Sequence, residues 1–223
     1  MIDRKTIQEH VKKHHPQQGE DSFDDGHLGG CNIKNDYGTY YPIMWEHMVK
    51  ELGIKSVLDV GCGFGYSLSY FVDELKLEGL GIEGSPKVIE ASPLQPLMVA
   101  HDYEKGAPPI NREFDLCWSC EFVEHVEEKY LPNIFDSFTK ARYLCMTFAG
   151  PGQAGHHHVN CQNGDYWVGN CYDNGLVIDV EFTQELRQKA HEDYEAFKKS
   201  EMEDKQGFVI PHFVERGLFF RRQ

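Results

Sequence analysis

The sequence predicts an α/β fold, a mostly parallel sheet covered by helices on both faces, and three observations carry that prediction. Five short apolar runs alternate with stretches of helical character, the signature of parallel strands joined by helical crossovers. A glycine-rich turn follows the first run, where an open α/β sheet places its ligand. The chain has 223 residues, 40% hydrophobic and 13% aromatic, which suits one large domain at ~100–200 residues per domain.

Taken in order, residues 1–39 are polar, include His14-His15-Pro16 and Gly29-Gly30, show no sustained period and read as an irregular arm; residues 40–223 read as a single domain. From Tyr40, the residues Ile43, Met44, His47, Met48 and Leu52 fall on a helical stripe that Gly53 stops. The apolar runs are Val57 to Val60, Gly79 to Glu83, Leu97 to Ala100, Phe114 to Ser119 and Tyr143 to Phe148. Helices are expected at Tyr66 to Lys76, Pro86 to Ala91, Glu121 to Lys129 and Leu131 to Ala141. Beyond a Gly/His/Asn-rich loop at 150–164 come an aromatic helical segment, a strand Leu176 to Phe182, a charged helix Gln184 to Asp204 and a final strand Phe208 to Phe220.

Charge excludes some classes. With 22 Lys+Arg against 36 Asp+Glu the formal charge is −14, so duplex DNA and anionic membranes would repel the chain. No apolar run approaches the ~20 residues of a membrane helix, and MIDRKTIQEH lacks a signal-peptide core. Seven cysteines without regular spacing, four of them (Cys62, Cys117, Cys120, Cys145) in apolar stretches, fit reduced thiols. The expected location is the cytoplasm, the host's if the protein is viral.

The turn VLDVGCGFGYS carries Gly61, Gly63 and Gly65, which let backbone approach a ligand with no Cβ in the way. The next strand ends in Gly81-Ile82-Glu83-Gly84, an acid about twenty residues on, where a ribose diol is commonly held. The third ends in His101-Asp102-Tyr103, a second acid suited to an adenine amino group. Three strand ends thus offer an adenosine site. A dehydrogenase competes, but position 66 is tyrosine where G-x-G-x-x-G needs its third glycine.

VLDVGCGFG, GIEGS, HDYE and FDLCWSCEFVEHV, in that order, resemble the class I S-adenosylmethionine-dependent methyltransferases over roughly residues 40–222. The resemblance implies a Rossmann-like seven-stranded sheet with an antiparallel last strand, and bound S-adenosylmethionine. It places Asp59, Gly61 and Gly63 near the methionine part, Glu83 on the ribose hydroxyls and Asp102 at the adenine. Cys62, Gly84, Tyr103 and Ser119, at the same strand ends, complete the implied cofactor contacts.

After the fourth run comes Glu121-Phe122-Val123-Glu124-His125, expected to open a helix, on which positions i, i+3 and i+4 share a face. Two carboxylates and an imidazole make half of a divalent-metal site, and the loop Gly155-His156-His157-His158-Val159-Asn160 arises at the same sheet edge. Oxygen-rich ligation with one or two histidines suits Mg²⁺ or Mn²⁺ better than zinc. Acids in a first helical turn also favour the positive end of the helix dipole with no metal present, and spacing alone leaves both readings open. Here E-x-x-E-H is similar to the metal site of small-RNA 3′-terminal 2′-O-methyltransferases and ubiquinone-pathway O-methyltransferases. The resemblance implies Glu121, Glu124, His125 and His158 as ligands. His157 is a rival ligand or a general base, and His125 and His158 are further candidate catalytic groups. PGQAGHHHVNCQNGDYW departs from the RNA enzymes and resembles viral and bacterial sugar-modifying methyltransferases.

The resulting expectation is a metal-assisted O-methyltransferase acting on a vicinal diol, a sugar or glycan such as a rhamnose. The alternatives are an aromatic diol or quinone precursor, an RNA 3′-terminal ribose, and a non-catalytic interaction module. Arg187, Lys189, Arg216 and Arg221 are the cations available for an RNA groove, although solvated faces explain them better. Tyr37, Tyr40, Tyr41, Trp45, Tyr166 and Trp167 are candidates for stacking on a sugar or covering the cofactor. Cys117 and Cys120, an odd number of positions apart on one strand, point to opposite faces and do not read as a zinc knuckle. The chain also fits a domain of a longer polypeptide that includes glycosyltransferase units.

Overall fold

The computed structural model describes residues 22–28, 30–32, 39–199 and 212–223. Within them a two-stranded antiparallel hairpin, β1 (Ser22–Asp24) and β2 (Gly30–Asn32), precedes the domain, so part of the arm expected to be irregular is paired. Seven strands form the main sheet: β3 (Ser56–Val60), β4 (Glu78–Glu83), β5 (Met98–Ala100), β6 (Phe114–Ser119), β7 (Ala141–Met146), β8 (Leu176–Ile178) and β9 (Leu218–Arg222). Their spatial order is β5-β4-β3-β6-β7-β9-β8, and β9 runs antiparallel to both neighbours while the other pairings are parallel. This is the mostly parallel sheet with an antiparallel last strand that the sequence led us to expect. Strand order reverses between β3 and β6, so the connections leaving these neighbours diverge and open a crevice at their carboxyl ends.

The helices are α1 (Pro42–Leu52), α2 (Tyr66–Ser69), α3 (Pro86–Ala91), α4 (Leu131–Phe138), α5 (Gly164–Asp173), α6 (Val180–Lys199) and α7 (His212–Arg216). α2 continues as a π-turn over Tyr70–Glu74. On one face, Ile134, Phe135 and Phe138 of α4 and Trp167 and Cys171 of α5 pack on Leu58, Cys117 and Leu144. On the other, Met44, Trp45 and Met48 of α1 and Leu186 and Ala190 of α6 pack on Val57, Trp118 and Cys145. Cys117 and Cys120 lie in these opposite layers, as strand alternation requires. Asp193 of α6 accepts from the amides of Ile43 (2.8 Å) and Met44 (3.0 Å), satisfying the first turn of α1 with a carboxylate from another helix. No helix among the described residues is long and apolar enough to cross a membrane.

Three expected elements take another form. The strand from Leu176 ends at Ile178, because Asp179 accepts from the Phe182 amide (3.0 Å) and so caps a helix beginning at Val180. The last strand starts at Leu218 rather than running from Phe208. His212–Arg216 is helical, and Gly217 turns the chain where the Phe213 ring would lie 2.4 Å from any Cβ. The third difference is at Glu121 and belongs to the site. The continuation of the charged helix to Asp204, the start of the strand at Phe208, Tyr37, His14-His15-Pro16 and Gly29 lie outside the described residues.

Candidate active site at the carboxyl edge of the sheet

A cleft opens where β3, β4, β5 and β6 end. Of the expected cofactor residues, Gly61, Glu83, Gly84, Asp102 and Tyr103 line it. Glu83 is 7% exposed, and its two oxygens accept from the amides of Gly63 and Ser85, each at 2.9 Å, so it ties the glycine turn to the end of β4. Burial pushes its carboxyl up to about 7 against the pull of the Ser85, Gly63 and Gly84 amides. Asp102 accepts from the Glu104 amide at 2.9 Å and is paired with His27 and Lys105, each at 3.2 Å. Burial raises its carboxyl, but these partners outweigh it and hold it below the ordinary value.

Four expected contacts do not line the cleft. Asp59 is buried in β3 and accepts from Ser67 Oγ, which anchors α2 beneath the turn. Cys62 turns its sulfur toward Gly81, where a Cβ would sit 2.6 Å from Sγ. Gly63 serves through its amide on Glu83, and Ser119 is fully buried with an unpartnered hydroxyl. Tyr103 offers its ring to the cleft, while its hydroxyl lies 2.8 Å from Ser137 Oγ.

Phe122, to which no role was assigned from sequence, covers the turn. Gly61 has φ +74°, and a Cβ there would lie 2.5 Å from the Phe122 ring. Gly61→Ala therefore combines left-handed strain with a clash, and a stability loss of about 1–3 kcal/mol is expected in urea denaturation. Adding Phe122→Ala should recover only the ring's share of the clash, because the Cβ at position 122 would still lie 2.8 Å away. Wild-type stability for the single variant would mean that the ring does not sit over the turn.

The segment after β6 does not open a helix. Glu121 adopts φ +50° and gives its amide to Thr147 Oγ1 (2.7 Å). Short 3₁₀ turns form at Val123–His125 and Glu128–Tyr130, and the Glu124 carbonyl accepts from the amides of Val159 and Asn160 (2.9 and 3.0 Å) instead of continuing a helix. That tertiary pairing brings the histidine loop against Glu124. Ligand atoms of Glu124, His125 and His158 all lie within 4.8 Å of one another. His158 Nδ1 must donate to the Gln153 carbonyl (3.0 Å), which leaves Nε2 with its lone pair, and Gly155 lets that imidazole lie on the backbone where a Cβ would be 2.1 Å from Nε2.

Glu121, expected in the same ligand set, turns elsewhere. His212 Nδ1 lies 2.8 Å from its Oε2, Arg216 is 3.7 Å away, and Thr147 Oγ1 donates to Oε1 (2.8 Å). Burial raises the Glu121 carboxyl, but His212, Thr147 and Arg216 together hold it below the ordinary value. Glu124 has the opposite fate. It is 0% exposed, and neither carboxylate oxygen meets a well-aligned hydrogen-bond donor, the amides of Glu124 and Ala149 lying near but poorly directed. Burial, then the Glu121 charge, push its carboxyl up to about 8, only partly opposed by its own amide, Arg216 and the Ala149 amide. Burial and then His158 lower the His125 imidazole to about 4, and its Nδ1 is unpartnered as well. His157, at φ +47°, occupies the turn before His158 and is not in the cluster.

The proposed RNA-groove cations are absorbed by the fold: Arg187 donates to the Gly217 carbonyl, Arg216 to Phe148 and Arg221 to Asp179. Lys189 pairs with Glu192. Tyr41, Trp45 and Trp167 are core rather than stacking surfaces, and Tyr40 packs edge-on against Trp45. Tyr166 is partly exposed, with its hydroxyl on Glu128.

The order and directions of the seven strands are those of the Rossmann-like methyltransferase fold. Residues 58–140 match the family described as methyltransferase domain, which implies S-adenosylmethionine as methyl donor. Over 90 residues the chain is 34% identical to the chloroplastic tocopherol O-methyltransferase of Arabidopsis thaliana, a match spanning 36% of this chain and 25% of that protein. Among solved structures, the methyltransferase domain of bacterial CtHen1 superimposes with a TM-score of 0.51 at 15% identity, over 79% of this chain and 93% of that one. Mycolic acid cyclopropane synthase gives 0.52 at 12%, over 79% and 82%. The sugar N-methyltransferase from Streptoalloteichus sp ATCC 53650 gives 0.54 at 15%, over 66% and 84%. At these identities the structures share the fold.

Proposed function

We propose that this chain transfers a methyl group from S-adenosylmethionine to a hydroxyl of a vicinal diol, a sugar or glycan of the rhamnose type, with a divalent cation held by Glu124, His125 and His158. One observation carries the cation: a fully buried carboxylate whose two oxygens meet no well-aligned donor, beside two imidazole ligand atoms. A buried charge of that kind is sustained by pairing or by a metal. One carboxylate and two imidazoles suit Mn²⁺ better than Mg²⁺, which prefers an all-oxygen shell. When bound, such an ion lowers the pKa of a coordinated hydroxyl and grips adjacent oxygens. Transfer to oxygen is supported by the curated relative, an O-methyltransferase. The formal charge of −14, and cations tied into the fold, favour a neutral acceptor over RNA.

The chain's own contribution is placement. In this reading Glu83 and Asp102 receive the ribose and adenine, and Gly61, the glycine of the turn that lines the cleft, presents backbone to the methionine part. In the same reading His157, a histidine of the loop left outside the cluster, is the group assigned to accept the proton of the acceptor hydroxyl. The test is calorimetric titration of Mn²⁺ and Mg²⁺ into chelator-treated protein with S-adenosylmethionine, with and without methyl rhamnoside, followed by product analysis. Cation uptake strengthened by the cis-diol, with an O-methylated sugar as product, is the expected result. Absence of uptake would remove the cation, and methylation of catechol but not of the rhamnoside would replace the acceptor class.

A further inference from the structure

The N-terminal segment reaches across the cleft. Asp25 accepts from Ser85 Oγ (2.8 Å) and pairs with Lys87 of α3 (2.5 Å), and His27 Nε2 lies 3.2 Å from Asp102. Leu28 runs over Gly84, where an added Cβ would meet the Leu28 carbonyl at 3.0 Å. His27 and Leu28 both line the cleft, alongside Glu83 and Asp102. His156 Nε2 lies 3.3 Å from the Gly26 carbonyl, so the segment also touches the histidine loop.

We infer that residues 25–28 form the outer wall of the cofactor's adenosine site, with His27 and Leu28 as retention residues that lift for cofactor entry and product release. The inference rests on reading this cleft as the S-adenosylmethionine site. Three features support it. The segment meets Asp102 through His27 and crosses Gly84, the residue after Glu83, through Leu28, so it borders the cleft beside both strand-end acids. Its anchors are a few polar contacts at the surface, with Lys87 and His27 side chains 53% and 45% exposed, and such contacts are individually weak enough to open and close. Gly84, lacking a Cβ, permits the close backbone approach.

Lys87 makes a clean probe, because it holds Asp25 from α3 and does not line the cleft. Stopped-flow displacement should show S-adenosylhomocysteine leaving roughly 2- to 5-fold faster from Lys87→Ala and from His27→Ala, about ten-fold faster from the double variant, and at the native rate from Lys87→Arg. The ligand-free melting temperature should not move, and in wild type the amides of residues 25–28 should exchange more slowly once the ligand is bound. If wild type binds the ligand while both variants release it at the native rate and exchange at 25–28 is unchanged, the retention role is overturned. If wild type takes up no S-adenosylhomocysteine at all, the reading of the cleft itself fails, and this inference with it.

Discussion

Glu124→Ala is expected to lower methyl transfer by roughly three orders of magnitude while S-adenosylhomocysteine binds within about two-fold of wild type, since a cation acting as Lewis acid is worth several kcal/mol at the transition state. The residue is buried beside the histidine loop and does not line the cofactor cleft, so the two readouts separate. Stability gives a second, activity-free measurement. The Glu124 carboxyl sits at about 8 in the cation-free fold against an ordinary 4.5. A raised acid contributes its full stability below about pH 4.5 and loses it as pH rises through about 8, because over that window the native state holds a proton that the unfolded chain has released. Chelator-treated protein should therefore melt at progressively lower temperature between pH 5 and pH 8. Glu124→Gln, with no proton to lose, should flatten that slope. Mn²⁺ competes with the proton for the carboxylate, so its stabilisation should be greater at pH 8 than at pH 6 in wild type and absent in Glu124→Gln. A wild-type slope that neither the ion nor the amide alters would dismiss Glu124 as the seat of a cation.

The frame of this molecule was legible because it depends on local pattern. Val57 to Val60 and Phe114 to Ser119 are largely apolar, broken by Asp59 and Asp115, because both faces of a central parallel strand are covered, and the glycines after Val60 mark the turn that this topology needs. The place of Glu83 at the cleft was legible the same way, from its distance to that turn. The acid motif after β6 was readable in composition and not in shape. A left-handed Glu121 and two amides from the histidine loop replace the helix that spacing suggested, and those amides lie about 35 residues downstream. His212 was invisible for a related reason: it reaches Glu121 from the other end of the domain, and no periodicity links the two. The segment 25–28 carries no hydrophobic pattern because it is held by polar side chains, so it read as an irregular arm. Local rules located the central strands and the cleft at their ends, whereas long-range pairing decided which acid meets which histidine.

Glu83→Ala should raise the dissociation constant of S-adenosylmethionine by about two orders of magnitude. It removes the carboxylate that would accept both ribose hydroxyls, and hydrogen bonds to a charged group are worth roughly 1.5–3 kcal/mol each. The same change strips the Gly63 and Ser85 amides of their acceptor, so the glycine turn loosens as well. Glu83→Gln is not a mild substitute. One of its two terminal atoms becomes an NH₂ facing an amide donor at 2.9 Å, which opposes the turn on the Gly63 side or the Ser85 side whichever way the amide is placed. The pH dependence separates charge from packing. The ligand-free carboxyl stands at about 7, and ribose hydroxyls donate to its ionised form, so binding must expel its proton below that pH. Wild-type affinity measured by calorimetry should weaken by up to about tenfold per pH unit below pH 7 and level off above it, and the affinity of Glu83→Gln should not vary with pH over the same range. Its linked effect on folding has the opposite sense, because the raised carboxyl favours the fold below the ordinary carboxylate range and loses that contribution as pH rises through about 7; saturating cofactor should then raise the melting temperature more at pH 8 than at pH 6. An affinity that is flat across pH 7 in wild type would show that the ribose is not held by this carboxylate.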